Sequence, residues 1–116
     1  MSDRKDNRID YIELPGRDMP SMQTFYTQVC GWTFQQWGDT YGSFNDGRLD
    51  GGIDADPETR RPAPLVVLFS SDLEAARDRV VKAGGRIVKD IFPFPGGRRF
   101  HFSDPSGNEL AIWSEK

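Results

Sequence analysis

The chain has 116 residues, 36% of them hydrophobic and 28% charged, with a formal net charge of -3; that length suits one compact domain with a modest core and leaves no room for a second. Its Lys and Arg are scattered among Asp and Glu instead of gathered in a stripe, so the electrostatic footprint of a nucleic-acid binder is missing. Cys30 is the sole cysteine, which excludes an internal disulfide and a Cys-rich zinc site and makes a reducing cytoplasm the expected location.

The first eight residues, MSDRKDNR, are charged and lack an apolar signal-peptide core, so residues 1–8 are expected to form a disordered or frayed tail. No run approaches the roughly 18 apolar residues of a membrane span, and no membrane partner is expected. IDYIEL alternates as a half-buried strand does and ends at Pro15-Gly16. In DMPSMQTFYTQVCG, Asp18 is an N-cap, Met22, Phe25, Tyr26 and Val29 recur at helical spacing, and Gly31 closes the helix. WTFQQW and YGSFN are strands joined at Gly38-Asp39, and LDGGI is a weaker strand. The polar, proline-rich stretch from Asp54 to Pro64 is a linker. Then PLVVLFSS is a strand, DLEAARDRVVKAG a helix capped by Asp72 and ended by Gly84-Gly85, and RIVKDI, RRFHFS and NELAIW are strands.

The order strand, helix, three strands therefore occurs twice. A shift of 54 carries Leu14 to Leu68, Asp18 to Asp72, Gly31 to Gly85 and Phe34 to Val88; past the second strand a shift of 58 carries Phe44 to Phe102, Asp46 to Asp104 and Ile53 to Ala111. Such an internal match points to duplication. The extra residues fall in FPFPGG, residues 92–97, which reads either as a lid or as a rigid hairpin connection. Each half would form a four-stranded sheet with one helix on its outer face, and two such sheets facing one another would enclose a cleft.

On FYTQVCGW after DMPSM, and on FSDPSGNELAIW with its D-P-x-G-N turn, the sequence resembles the vicinal oxygen chelate superfamily, which includes glyoxalase I, extradiol dioxygenases and the fosfomycin- and bleomycin-resistance proteins. The resemblance covers about residues 9 to 114. It implies an α+β fold of two tandem βαβββ modules forming a curved mixed sheet around a cleft, as a single domain over 9–116. Module 1 would span about 9–54, a linker 55–63 and module 2 about 64–114, and a homodimer is common. In metal-using members, His, Gln or Glu ligands sit early in the first strand of each module and in each last strand. Those positions map to Tyr11, Leu65, Ile53 and Ala111, three of which cannot bind a metal. A divalent ion wants three or more converging N or O ligands at about 2.0–2.3 Å, so no metal and no other cofactor is expected. A displaced set of Glu13, His101 and Glu109 is the alternative.

Strand alternation assigns the faces. Phe100, Phe102, Leu110 and Ile112 should face the helices, leaving Arg99, His101, Ser103, Glu109, Ala111 and Trp113 on the cleft side with Tyr11 and Glu13. Their module 1 counterparts are Tyr41, Ser43 and Asn45. His101, the only histidine, is the candidate general base, oriented by Glu13 or Glu109; a lone histidine on a sheet is also an ordinary hydrogen-bonded structural residue. Arg99 is a candidate for holding a carboxylate or phosphate, with Arg98 pointing outward. Trp32, Trp37, Tyr41 and Trp113 either wall an aromatic slot or pack in the sheet, with Tyr41 and Trp113 favoured for ligand contact. Cys30, at a helix C-terminus, reads as structural.

Three readings stand. The first is a metal-independent protein that binds a small organic ligand, with Tyr11, Tyr41, Arg99, Glu109 and Trp113 as ligand contacts. The second is an enzyme, a lyase or isomerase related to lactoylglutathione lyase that acts on a small carbonyl compound or thiol adduct, with His101 and Glu13 as catalytic residues. The third is a regulatory module with a vestigial cleft. The unsuitable metal positions favour the first, because the superfamily's chemistry leans on the ion to polarise an oxygen pair.

Overall fold

The computed structural model describes residues 4–116. The elements run β1 (Ile9–Pro15), α1 (Met19–Cys30), β2 (Phe34–Trp37), β3 (Tyr41–Asn45), β4 (Asp50–Asp54), β5 (Leu65–Phe69), α2 (Leu73–Lys82), β6 (Arg86–Phe94), β7 (Gly97–Ser103) and β8 (Glu109–Ser114). This is βαβββ twice, an α+β fold. The chain divides into two compact units, Tyr11–Leu65 and a second comprising the residues up to Asp10 with Val66–Lys116. Among the described residues no helix is long and apolar enough to cross a membrane.

In the Tyr11–Leu65 unit the strands lie in the order β2-β3-β4-β1, with β1 parallel to β4 and the other pairs antiparallel. Asp18 caps α1 by accepting from Ser21 N, a contact that stabilises a helix by about 1 kcal/mol. Gly31 closes the helix in the left-handed region, at φ 75°, where a side chain would be strained. Met19, Met22 and Tyr26 pack against Leu14, Phe44 and Ile53. Trp32 stacks between Tyr26 and Phe44, with ring centroids 5.0 and 4.2 Å away. Phe25 and Val29, expected on the buried stripe, are 55% and 64% exposed: Phe25 lies to the side of the line set by Met19, Met22 and Tyr26, and Val29 sits in the last turn. No residue of α1 is charged.

In the other unit the order is β5-β8-β7-β6, again with the first pair parallel and the others antiparallel. Asp72 caps α2 through Ala75 N. Leu73 and Ala76 pack on Phe100 and Ile112, joined by Leu68, Val80, Ile87 and Phe102. Full burial of a ring such as Phe100, 0% exposed, contributes roughly 1.5–3 kcal/mol. Unlike α1, α2 carries charges on its flanks, with Glu74 paired to Arg98 at 2.7 Å and Arg77 to Asp90 at 2.8 Å. Of the expected tail, residues 1–3 lie outside the described residues; Asp6 accepts from Ser71 N and Oγ, and Asn7 N donates to Phe69 O.

The duplication holds, with two slips. Phe34 pairs with Phe44 and Ile87 with Phe102, so the counterpart of Phe34 is Ile87; Val88 is 47% exposed. The slip arises because α1 has 12 residues and α2 has 10, and the connections do not fully restore the spacing. The second slip lies in a turn: Asn45 pairs with Asp50, while Ser103 pairs with Glu109. The second turn thus holds one more residue, and the shift becomes 59 along the last strand. Ile53 consequently belongs to the helix-facing core of its unit, and Gly52, not Ile53, is the counterpart of Ala111. FPFPGG is not a lid: β6 runs through Phe94, and a tight turn with Gly96 at φ 118° leads straight into β7.

Candidate functional site

The sequence candidates fall into two groups, one on each unit. The β7–β8 register sets Arg99 opposite Trp113, His101 opposite Ala111 and Ser103 opposite Glu109. Alternate residues share a face, so these six lie away from α2, while Phe100 and Ile112 pack with it. His101 is buried, 3% exposed, and its Nδ1 stands 2.9 Å from Glu109 Oε2. A carboxylate only accepts, so Nδ1 donates, and in the neutral ring Nε2 carries the lone pair.

Two aromatic residues absent from the sequence candidates complete this face. Phe92 stacks on His101 at 5.8 Å, and the Arg99 guanidinium lies over the rings of Phe92 and Phe94 at 5.5 and 5.7 Å. Lys89 Nζ is 4.2 Å from the centre of the Phe92 ring. Register shifts between Ile87 and Lys89 and between Lys89 and Phe92 change the parity of β6, which brings both Lys89 and Phe92 to the His101 side. The alternation Phe92-Pro93-Phe94 was the available signal of a strand here; the parity change left none.

Trp113 is held firmly within its own unit. Its Nε1 donates to Asp10 Oδ2 at 2.9 Å, the same oxygen takes a bond from Arg4 Nε at 2.9 Å, and the Arg4 guanidinium lies 5.1 Å above the indole. Arg98 points to the other side, as alternation requires, where it grips Glu74 and the Lys116 carbonyl. The side-chain bond from Arg98 holds the Glu74 carboxyl below its usual range.

In the Tyr11–Leu65 unit, Glu13 pairs with Gly52 and Gly52 with Ser43, while Tyr11 lies opposite Asp50 and Tyr41 opposite Asp54. Tyr41 Oη donates to Glu13 Oε2 at 3.0 Å and is also bonded to Tyr11 Oη. Burial, followed by the Glu13 carboxylate, pushes the Tyr41 phenol well above its ordinary value. Gly52 makes room for this arrangement, since a Cβ there would collide with both phenol oxygens. Trp37, 56% exposed, donates to Ser43 Oγ at 2.8 Å. Trp32 belongs to the helix core and walls no slot. Cys30 is exposed and supplies no packing.

A family model for the Glyoxalase/Bleomycin resistance protein/Dioxygenase superfamily matches residues 8–112. The chain belongs to that superfamily. It is 28% identical to the anthracycline biosynthesis protein DauV of Streptomyces sp. (strain C5), over 89% of this chain and 45% of that protein. The chain spans under half the length of the curated relatives it matches. Its fold is that of methylmalonyl-CoA epimerase from Mycobacterium tuberculosis, with TM-score 0.69 and 14% identity over 98% of this chain and 91% of that one. A Mn(II)-bound glyoxalase from Novosphingobium aromaticivorans shares it too, with TM-score 0.68 and 18% identity over 96% of this chain and 40% of that one.

The superfamily's metal positions do not suit a metal here. The corrected register gives Tyr11, Gly52, Leu65 and Ala111: one phenol already bonded to Tyr41, no side chain, an isobutyl group 1% exposed and a methyl group 0% exposed. Among the described residues no three or more His, Cys, Asp or Glu side chains gather as ligands would, so the alternative set of Glu13, His101 and Glu109 is not assembled either.

Proposed function

We propose that this member of the superfamily binds a small organic molecule on the face built by β7 and β8, and that the molecule is anchored by side chains in place of a metal. The reading is carried by the donor set: at the four positions where metal-using relatives supply ligands, this chain supplies one hydrogen-bonded phenol, one glycine and two buried aliphatic groups. Arg99, spread over Phe92 and Phe94, is suited to a carboxylate on a flat ligand. His101 and Glu109 supply a polar edge beside it, and Trp113 an aromatic wall. A homodimer is part of the same proposal; a sedimentation mass near 13.1 kDa, that of one chain, would end that part.

The test is a thermal-shift and tryptophan-fluorescence screen of EDTA-treated protein against aromatic carboxylates and thiol adducts. Binding unchanged by EDTA and lost in Arg99→Ala supports the reading. Binding that appears only with a divalent cation overturns it.

One observation favours a second reading, a lyase or isomerase acting on a small carbonyl compound or thiol adduct. The His101–Glu109 bond fixes a tautomer whose Nε2 is basic, as a general base requires. Solvent deuterium entering the carbon beside a substrate carbonyl, abolished in a folded His101→Gln variant, would establish it.

A further inference from the structure

The polar cluster on the Tyr11–Leu65 unit goes beyond the reading above, and its hydrogen bonds have a direction. Glu13 is a buried carboxylate, 7% exposed, and it accepts from Tyr41 Oη. A phenol has one hydrogen. Since that of Tyr41 is committed to Glu13, the bond between the two phenols must be donated by Tyr11. The order is therefore Tyr11 O–H to Tyr41, then Tyr41 O–H to Glu13, with the carboxylate drawing both protons inward. The hydrogen of Tyr11 is spent in this chain, and its oxygen meets further groups as an acceptor.

We infer that Glu13, Tyr41 and Tyr11 form a one-way relay that recognises a hydrogen-bond donor, the hydroxyl of an alcohol or phenol or the N–H of an amine, at Tyr11 Oη. Tyr11 and Tyr41 are both half-buried, so their ring edges stay within reach of a small molecule. Gly52 is the device that makes the relay possible, because any side chain there would push the two phenol oxygens off each other. Gly52 and Tyr11 also stand at two of the four superfamily metal positions, so the relay replaces a centre that attracts oxygen lone pairs with one that offers them. The polarity of recognition is reversed: a carbonyl or carboxylate oxygen meets repulsion at Tyr11, and a hydroxyl meets a bond.

The chain has three tyrosines, and the third, Tyr26, packs in the helix core, which gives an internal control. Protein labelled at tyrosine 13Cζ is titrated with phenol and with anisole, a pair matched in shape but differing in the donor hydrogen. The expected result is that phenol binds about tenfold tighter, the scale of one hydrogen bond in a partly desolvated site, with the Tyr11 and Tyr41 signals moving and Tyr26 still. In Tyr11→Phe the two probes should bind alike. In Glu13→Gln the preference should narrow, because an amide can present either a donor or an acceptor to Tyr41 and so no longer enforces one direction. Equal affinity for both probes in the unaltered protein overturns the relay while leaving ligand binding on the β7–β8 face intact. Binding of neither probe, or a response at Tyr26 alone, overturns the assignment of a donor site to Tyr11.

Discussion

Ala111 stands directly opposite His101 in the antiparallel β7–β8 ladder, and the two are 0% and 3% exposed. Directly opposed side chains have Cβ atoms about 4.5–5.5 Å apart, so the methyl group at 111 bounds the space in which the imidazole can lie. On its other flank the ring is met by Phe92. The position of His101 is thus set by a small neighbour, an aromatic face and one carboxylate.

Ala111→Leu should destabilise the protein by about 1–3 kcal/mol, the usual cost of forcing extra methylenes into a filled core. Urea denaturation measures it. The same change should disturb the His101–Glu109 contact, seen as a shift of the His101 imidazole resonances.

Glu109→Gln should release the tautomer. With the carboxylate in place Nδ1 donates; a glutamine that offers its amide hydrogen lets the proton move to Nε2. Nitrogen-15 spectra of the single histidine read the two nitrogens separately, and a neutral ring protonated at Nε2 in the unaltered protein would contradict the arrangement described.

The Tyr41 phenol is held above its ordinary value by burial and by Glu13. A group whose folded value is raised contributes stability that is fully present below its unfolded value, near 10 for a phenol, and is lost as the pH rises above it. Stability should therefore decline above about pH 10, and Tyr41→Phe should flatten that decline. At neutral pH the same variant leaves buried Glu13 short of a donor, costing about 1–3 kcal/mol. Denaturation curves across the alkaline range test both statements.

Asp104 organises the β7–β8 turn. Its carboxylate accepts from the Asn108 side chain and from Ser106 N and Asn108 N, all at 2.9 Å, and the Asn108 side chain with these backbone bonds holds the carboxyl below its usual range. A depressed value means that the stabilisation is present above the ordinary carboxylate range and is lost as the pH falls through the lowered value. Asp104→Ala should lower the melting temperature at neutral pH and weaken the acid-induced fall that the unaltered protein shows.

The helices, their aspartate caps and the second sheet's face assignment were legible in the sequence. Each rests on local chemistry or on alternation, and His101, Arg99 and Glu109 share a face as alternation from Phe100 and Phe102 requires. What misled was counting across turns. One residue more between Ser103 and Glu109 than between Asn45 and Asp50 moved the counterpart of Ala111 from Ile53 to Gly52, since a step of one along a strand exchanges its faces. The irregularities in β6 hid Phe92 and Phe94 in the same way. Contacts such as Asp10 with Trp113, 103 positions apart, have no local signature at all.

The two halves repeat one plan but meet the solvent differently. Helix α1 contains no charged residue and leans on stacked rings, whereas α2 is tethered by Glu74–Arg98 and Arg77–Asp90. Added salt screens exposed ion pairs and leaves ring stacking almost untouched. Rising ionic strength therefore works on one member of the duplicated pair and spares the other, so two descendants of a single ancestral module have come to answer to different properties of the medium.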